Sequence, residues 1–275
     1  MSPFFSMRGD VVVRKIAVFS FIIAAAIIAA AMLAFFLLPQ RDSMLPFSAI
    51  NEMQVGEREI GVLFLGDSAF VLKTSGHVVI IDPSSKISRD AAKSLGKIDA
   101  VLITHEHSDH FSSEATLDLY RESGCMIIVN EGAYGNLRTL VEEKNLVLMR
   151  PGENVSINGI FIESVEANHS AVSPLMYVVT MDGLTILHAS DSGFTRSLGK
   201  FAGKIDFAIL PIGSPSPTAS PSEALKMAKA ALPKKIVMMH GSSSEYSEFR
   251  NLMANSGLNI TIEEVEAHKP RKISF

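Results

Sequence analysis

The sequence predicts an α/β domain in which two sheets are covered by helices, preceded by a single N-terminal transmembrane helix. Three observations predict it. Ile16 to Leu38 is an unbroken apolar run with one polar residue, Ser20, and no charge. From Gly56 onward, short apolar runs bounded by turn residues read as strands, and a group of strands followed by strand–helix alternation occurs twice. The 275 residues are 47% hydrophobic and 20% charged. Without the apolar run the apolar content falls to roughly 42%, ordinary for a folded globular domain.

At about 1.5 Å per residue the run makes a helix roughly 34 Å long, enough to cross a hydrocarbon core of about 30 Å. A cleaved signal peptide is the rival reading, but its apolar core spans only about 7–15 residues. Arg8, Arg14 and Lys15 stand before the run against Asp10, while Arg41 and Asp42 follow it. The positive-inside rule then places 1–15 in the cytoplasm, 16–38 in the membrane and the rest outside the cytoplasm. Residues 39–56 hold Pro39 and Pro46 and show no sustained periodicity, so they read as a linker; 57–275 read as the domain.

Within the domain, 60–65, 69–72 and 77–81 read as consecutive strands, with Ser75–Gly76 as a hairpin turn. Helix 89–95, strand 100–103, helix 114–121, strand 126–129 and helix 136–143 complete the first half. Strands 160–165, 175–181 and 184–188 open the second, with Asp182–Gly183 as a tight turn. Strand 207–210 follows. Ser220, Pro221 and Glu223 then supply a capping serine, a proline at the first helical position and a glutamate three residues after the cap, starting a helix that runs to about Leu232. Strand 236–239, helix 245–253 and strand 260–265 finish the chain.

Composition removes several classes of function. A lone cysteine, Cys125, excludes an internal disulfide framework and a cysteine-cluster metal site. A net charge of −4 argues against nucleic acid as a partner. No serine-hydrolase elbow is present, and Cys125 begins an apolar strand and reads as core. His77 and His268 read as solvent-facing, and His188 as a packed strand residue. Ser214, Ser216 and Thr218 read as a surface loop.

The chemistry-bearing segment is Thr104–His105–Glu106–His107–Ser108–Asp109–His110, directly after an apolar strand. His105 and His107, two apart on an extended loop, can turn to one side and meet one metal, while Asp109 and His110 can reach a neighbouring one. Neutral imidazole suits zinc, iron or nickel, and carboxylate compensates the charge of a divalent ion. Such a segment cannot close two metal sites alone. His169, Asp191 and His240 each follow a strand, where α/β scaffolds present chemistry.

Together these segments resemble the metallo-β-lactamase-fold hydrolases, an αββα sandwich with a dinuclear metal site. The likeness covers about residues 58–265 and is closest to the branch that includes L-ascorbate-6-phosphate lactonase. Its pieces are Leu65 to Phe70, Ile81–Asp82–Pro83, the 104–110 motif, His169, His188 to Gly193, Leu210 to Gly213, Pro221 to Ala224 and His240–Gly241. The resemblance implies that His105, His107 and His169 hold one metal. Asp109, His110 and His240 would hold the second, with Asp191 bridging. One departure is Asp67, where the branch commonly has histidine.

The expected reaction is attack by a metal-bound hydroxide on an ester-type bond, a lactone or phosphodiester, of a small-molecule or lipid-like substrate. Asp109 orients the nucleophile or relays its proton, and zinc is the expected metal, with manganese or iron as alternatives. Two other functions stay open at this level: iron-dependent oxygen or persulfide chemistry on the same fold, and metal sensing without catalysis.

Overall fold

A computed structural model of the chain describes residues 27–29, 44–213 and 218–275. It divides into two units, Met1–Leu45 and Pro46–Phe275. Fourteen strands belong to the second: β1 (Glu59–Phe64), β2 (Phe70–Lys73), β3 (Val78–Ile81), β4 (Ala100–Ile103), β5 (Met126–Val129), β6 (Leu146–Leu148), β7 (Asn154–Ile157), β8 (Ile160–Glu166), β9 (Leu175–Met181), β10 (Leu184–His188), β11 (Phe207–Pro211), β12 (Lys235–Met239), β13 (Thr261–Ile262) and β14 (Arg271–Ser274). They form two seven-stranded sheets, ordered β14-β1-β2-β3-β4-β5-β6 and β13-β12-β11-β10-β9-β8-β7.

Each sheet is half antiparallel and half parallel. Short connections join the antiparallel pairs β1–β2, β2–β3, β7–β8 and β9–β10, and the longer loop 167–174 joins β8–β9. The parallel pairs need crossovers, which are largely helical. Helices α2 (Arg89–Leu95), α3 (Ser113–Ser123) and α4 (Glu131–Leu137) serve the first sheet, and α5 (Pro221–Ala231) and α6 (Ser243–Ala254) the second. An additional helix, α1, occupies 44–52.

Ile60, Val62, Phe70 and Leu72 of the first sheet face Ile162, Tyr177, Val179 and Phe207 of the second in a core between the sheets. On the second sheet's outer face, Leu187, Leu210 and Ile236 pack against Met227, Phe249 and Met253 of α5 and α6. Each such side chain, fully buried, contributes about 1.5–3 kcal/mol. Strands β4 and β11, parallel to both neighbours, are buried at every position, the mark of parallel strands covered on both faces.

The membrane expectation is corrected. Among the described residues no helix is long and apolar enough to cross a membrane. Of the run 16–38 only 27–29 are described, as helix. The single-pass placement, with a cytoplasmic N-terminus and the domain outside the cytoplasm, therefore does not stand. The segment 1–15, the remainder of 16–38, and Ser214 and Ser216 lie outside the described residues.

The stretch read as a linker contains α1, which buries Phe47 and Ile50. Pro46 lies in its first turn, where a missing N–H breaks no intrahelical bond. Helix 136–143 proves to be α4, beginning at Glu131, where the Asn130 side chain accepts from the Ala133 N–H. Gly132 and Gly135 lower its helix propensity and mask it. The sequence reading omits β6, β7 and β14, each of which lies at the edge of its sheet. It also overextends the last strand of the second sheet, which is limited to Thr261–Ile262.

Candidate metal centre

The parallel strands set the site. Where β3, β4, β10 and β12 end, the chain opens at Asp82, Thr104–His110, Ser190–Asp191 and His240. His169 lies in the loop between β8 and β9. Three of these residues, Asp82 (φ 49°), Ser190 (φ 52°) and His240 (φ 45°), have left-handed backbone. A non-glycine residue there costs on the order of 1 kcal/mol or more and persists where its surroundings fix it.

Seven side chains converge. One donor atom from each of His105, His107 and His169 forms a group, and one from each of Asp109, His110, Asp191 and His240 forms another; within each group the atoms lie within 4.8 Å of one another. The two groups adjoin, since the rings of His105 and His110 stand 3.9 Å apart between centroids. His107 Nδ1 lies 3.2 Å from His169 Nε2. Two imidazole nitrogens on a tetrahedral zinc, at 2.0–2.1 Å each, stand about 3.3 Å apart. Asp191 Oδ1 lies 3.1 Å from His110 Nε2 and 3.0 Å from His240 Nε2.

Burial supports a metal independently. His105 Nε2, His110 Nε2, Asp191 Oδ1 and both nitrogens of His240 are buried and make no well-directed hydrogen bond, the close approaches of Asp191 Oδ1 to His110 and His240 included. Each unsatisfied buried polar atom costs about 1–3 kcal/mol. Most such atoms among the described residues cluster at this one point, and all are good ligands for a borderline-soft divalent ion. The donor set fits the group that the sequence implies.

The atoms turned away from the site are well held. Asp82 is buried and accepts from the Thr104 N–H at 2.8 Å and the Thr104 hydroxyl at 2.7 Å; its other contact is His110 Nδ1 at 2.8 Å. His105 Nδ1 lies 3.0 Å from Thr104 Oγ1 and 3.4 Å from Ser190 Oγ. Burial and the neighbouring His110 push the His105 imidazole down to about 3, leaving it neutral and able to ligate. Burial also lowers His110, but Asp82 and Asp191 outweigh it and raise that imidazole to about 10. Burial raises Asp191, yet His110 and His240 draw its carboxyl far below the usual range.

The family model of the beta-lactamase superfamily domain matches residues 61–240. The chain belongs to the metallo-β-lactamase superfamily. A metal-dependent hydrolase of Thermococcus kodakarensis is 30% identical over 224 residues, 75% of this chain and 98% of that protein. Another, of Pyrococcus horikoshii, is 31% identical over 231 residues, 76% and 99% of the two chains. Among solved structures, a metallo hydrolase from Ignicoccus hospitalis superposes with a TM-score of 0.67 at 24% identity, covering 79% of this chain and 99% of that one. That likeness carries the fold.

Several residues that build this superfamily member's site are not readable from ligand spacing. Tyr177 donates its hydroxyl to the Ile103 carbonyl at 2.9 Å, linking the second sheet to the strand before the histidine motif. His188, read as a packed strand residue, is buried and also bonded: Nε2 reaches the Ser68 carbonyl at 3.0 Å and Nδ1 accepts from the Ser190 N–H at 3.3 Å. Ser68 in turn donates to the Asp109 carbonyl at 3.4 Å. Asp67, the departure from the branch pattern, pairs with Lys86 at 2.8 Å. One signal was available: Ser242 and Glu245 form a capping box at the start of α6, immediately after His240–Gly241.

Proposed function

We propose that this chain is a dinuclear metal-dependent hydrolase that cleaves an ester-type bond, a lactone or a phosphodiester. Its class rests on family membership together with relatives named metal-dependent hydrolases. The dinuclear reading rests on one observation: seven donor side chains gather into adjoining groups of three and four. His105, His107 and His169 would hold one ion, and Asp109, His110 and His240 the other, with Asp191 shared. We assign zinc, which five imidazoles and two carboxylates suit.

When bound, two divalent ions lower the pKa of water toward about 7 and polarise the scissile oxygen. The chain supplies the rest. Asp109 is the most exposed of the second group's side chains, so its carboxylate can meet a nucleophile or take its proton. Its backbone is fixed by Ser68. Two carboxylates against two divalent ions leave the site cationic, which favours substrates whose reacting group is anionic or polarised.

The test is elemental analysis of the purified protein together with turnover of lactones, phosphodiesters and simple esters, with and without a chelator. Two equivalents of zinc per chain and chelator-sensitive turnover of one substrate class are expected. A single equivalent, or turnover that survives His107→Ala or Asp191→Ala, would overturn the dinuclear reading. Two equivalents of manganese or iron would correct the metal alone.

A further inference from the structure

Glu106 lies between His105 and His107 and has no role so far. On an extended stretch, successive side chains alternate, so the geometry that sends His105 and His107 toward the metal sends Glu106 the opposite way. There the structure gives it specific partners. Glu106 Oε1 accepts from the Val172 N–H at 2.8 Å, and Oε2 accepts from the Asn130 side-chain amide at 3.3 Å. The same amide donates to the Val172 carbonyl at 2.7 Å, and Asn130 Oδ1 caps α4 through the Ala133 N–H at 3.1 Å.

Val172 belongs to the loop 167–174, which carries His169. That loop is closed at its base by the Ala167 N–H to the Pro174 carbonyl at 3.1 Å. On one side Asn168 is held by Ser192 and Gly193, its N–H donating to Ser192 Oγ at 2.9 Å and its carbonyl accepting from the Gly193 N–H at 2.9 Å; the far side of the loop, at Val172, is held by Glu106 and Asn130. The neighbouring helix is shaped around the carboxylate: a Cβ on Gly132 would stand 2.0 Å from Glu106 Oε2 and 2.5 Å from Cδ. Only glycine leaves the carboxylate where Val172 and Asn130 hold it.

We propose that Glu106 is a positioning residue that clamps the 167–174 loop and so keeps the His169 imidazole within bonding reach of His105 and His107. The proposal rests on the reading of that trio as a metal site. It assigns Glu106 and Gly132 to one of the two sites selectively, because neither touches the group of Asp109, His110, Asp191 and His240.

The experiment strips the full chain of metal and titrates it with Zn²⁺ against a chromophoric chelator, comparing wild type with Glu106→Ala, Glu106→Gln, Gly132→Ala and the double variant. Losing an outer partner of a ligand typically weakens metal binding about 10–100-fold. Wild type should take two equivalents. Glu106→Ala should keep one at wild-type affinity and weaken the other by that factor. Glu106→Gln retains an acceptor oxygen for the Val172 N–H and should recover most of the loss. Gly132→Ala should weaken the same equivalent and add nothing to Glu106→Ala. If Glu106→Ala does not fold, Gly132→Ala carries the comparison.

Two unaltered equivalents in Glu106→Ala or in Gly132→Ala would overturn the clamp while leaving the dinuclear reading intact. Equal weakening of both equivalents would overturn its selectivity for the trio. Fewer than two equivalents in wild type would overturn the underlying site, and the clamp with it.

Discussion

Asp82 shows how one buried carboxylate organises a reactive loop. It accepts from the Thr104 N–H and hydroxyl and meets His110 Nδ1, so a single side chain sets both the entry to the motif and the face that His110 presents. Asp82→Asn keeps the size and one acceptor oxygen but turns an amide donor toward an imidazole nitrogen or a hydroxyl. We expect a loss of about 1–3 kcal/mol in urea unfolding of the metal-free chain. Zinc affinity of the His110 group should fall about 10–100-fold in a chelator competition. The seven donors were legible in the sequence because histidine and aspartate after apolar strands are conspicuous, and the structure brings all seven together. Their supports were not. Thr104, Ser190, Asn130 and Glu106 are ordinary loop residues in one dimension, and only the fold shows that the first two meet the outer nitrogen of His105 while the last two hold Val172 in the loop that carries His169.

At the scale of elements, the largely buried strands were the easiest to read, since β4, β5, β9 and β10 begin and end where apolar runs meet turn residues. Legibility failed where tertiary contacts override local preference. Helix α4 carries two glycines and forms because Asn130 caps it while Ala133 and Leu137 are buried. Strand β14 has a polar sequence and forms by pairing with β1, from Glu59 opposite Ser274 to Val62 opposite Arg271. Strand β9 has a further task, since its Tyr177 hydroxyl binds the last carbonyl of β4. Tyr177→Phe keeps the ring packing but leaves the buried Ile103 carbonyl without that donor. A lower urea midpoint with an unchanged slope is expected, corresponding to about 1–3 kcal/mol. A change in slope would instead mean that the variant alters the unfolded or native ensemble beyond this bond.

Across the whole molecule the two sheets are joined at both ends. At the end carrying the histidine motif, side chains from the first sheet (His105, His107, Asp109 and His110) meet side chains from the second (His169, Asp191 and His240). At the other end the joints are ionic and polar. Asp182, in the β9–β10 turn, accepts from the Gly76 N–H of the β2–β3 turn at 2.7 Å. Asp206, just before β11, pairs with Arg58 before β1 at 2.7 Å and with Lys234 at 2.8 Å, and accepts from the Thr185 N–H at 2.9 Å. Burial raises the Asp206 pKa, but Lys234, the Thr185 N–H and Arg58 together hold it below the usual carboxylate value. A carboxyl whose folded pKa lies below its unfolded one stabilises the fold above the unfolded value, about 3.9 for Asp. That contribution is lost as pH falls through the folded pKa. Asp206→Asn should therefore cost about 1–2 kcal/mol at pH 7, with solvent screening of the partly exposed Arg58 and Lys234 allowed for. The difference from wild type should persist at pH 5 and narrow below about pH 4 as the wild-type carboxyl takes up its proton. Urea midpoints of the two metal-free proteins at pH 7, 5 and 3 measure this directly. A gap that stays constant across that range would show that Asp206 acts through its shape and neutral hydrogen bonds rather than through its charge.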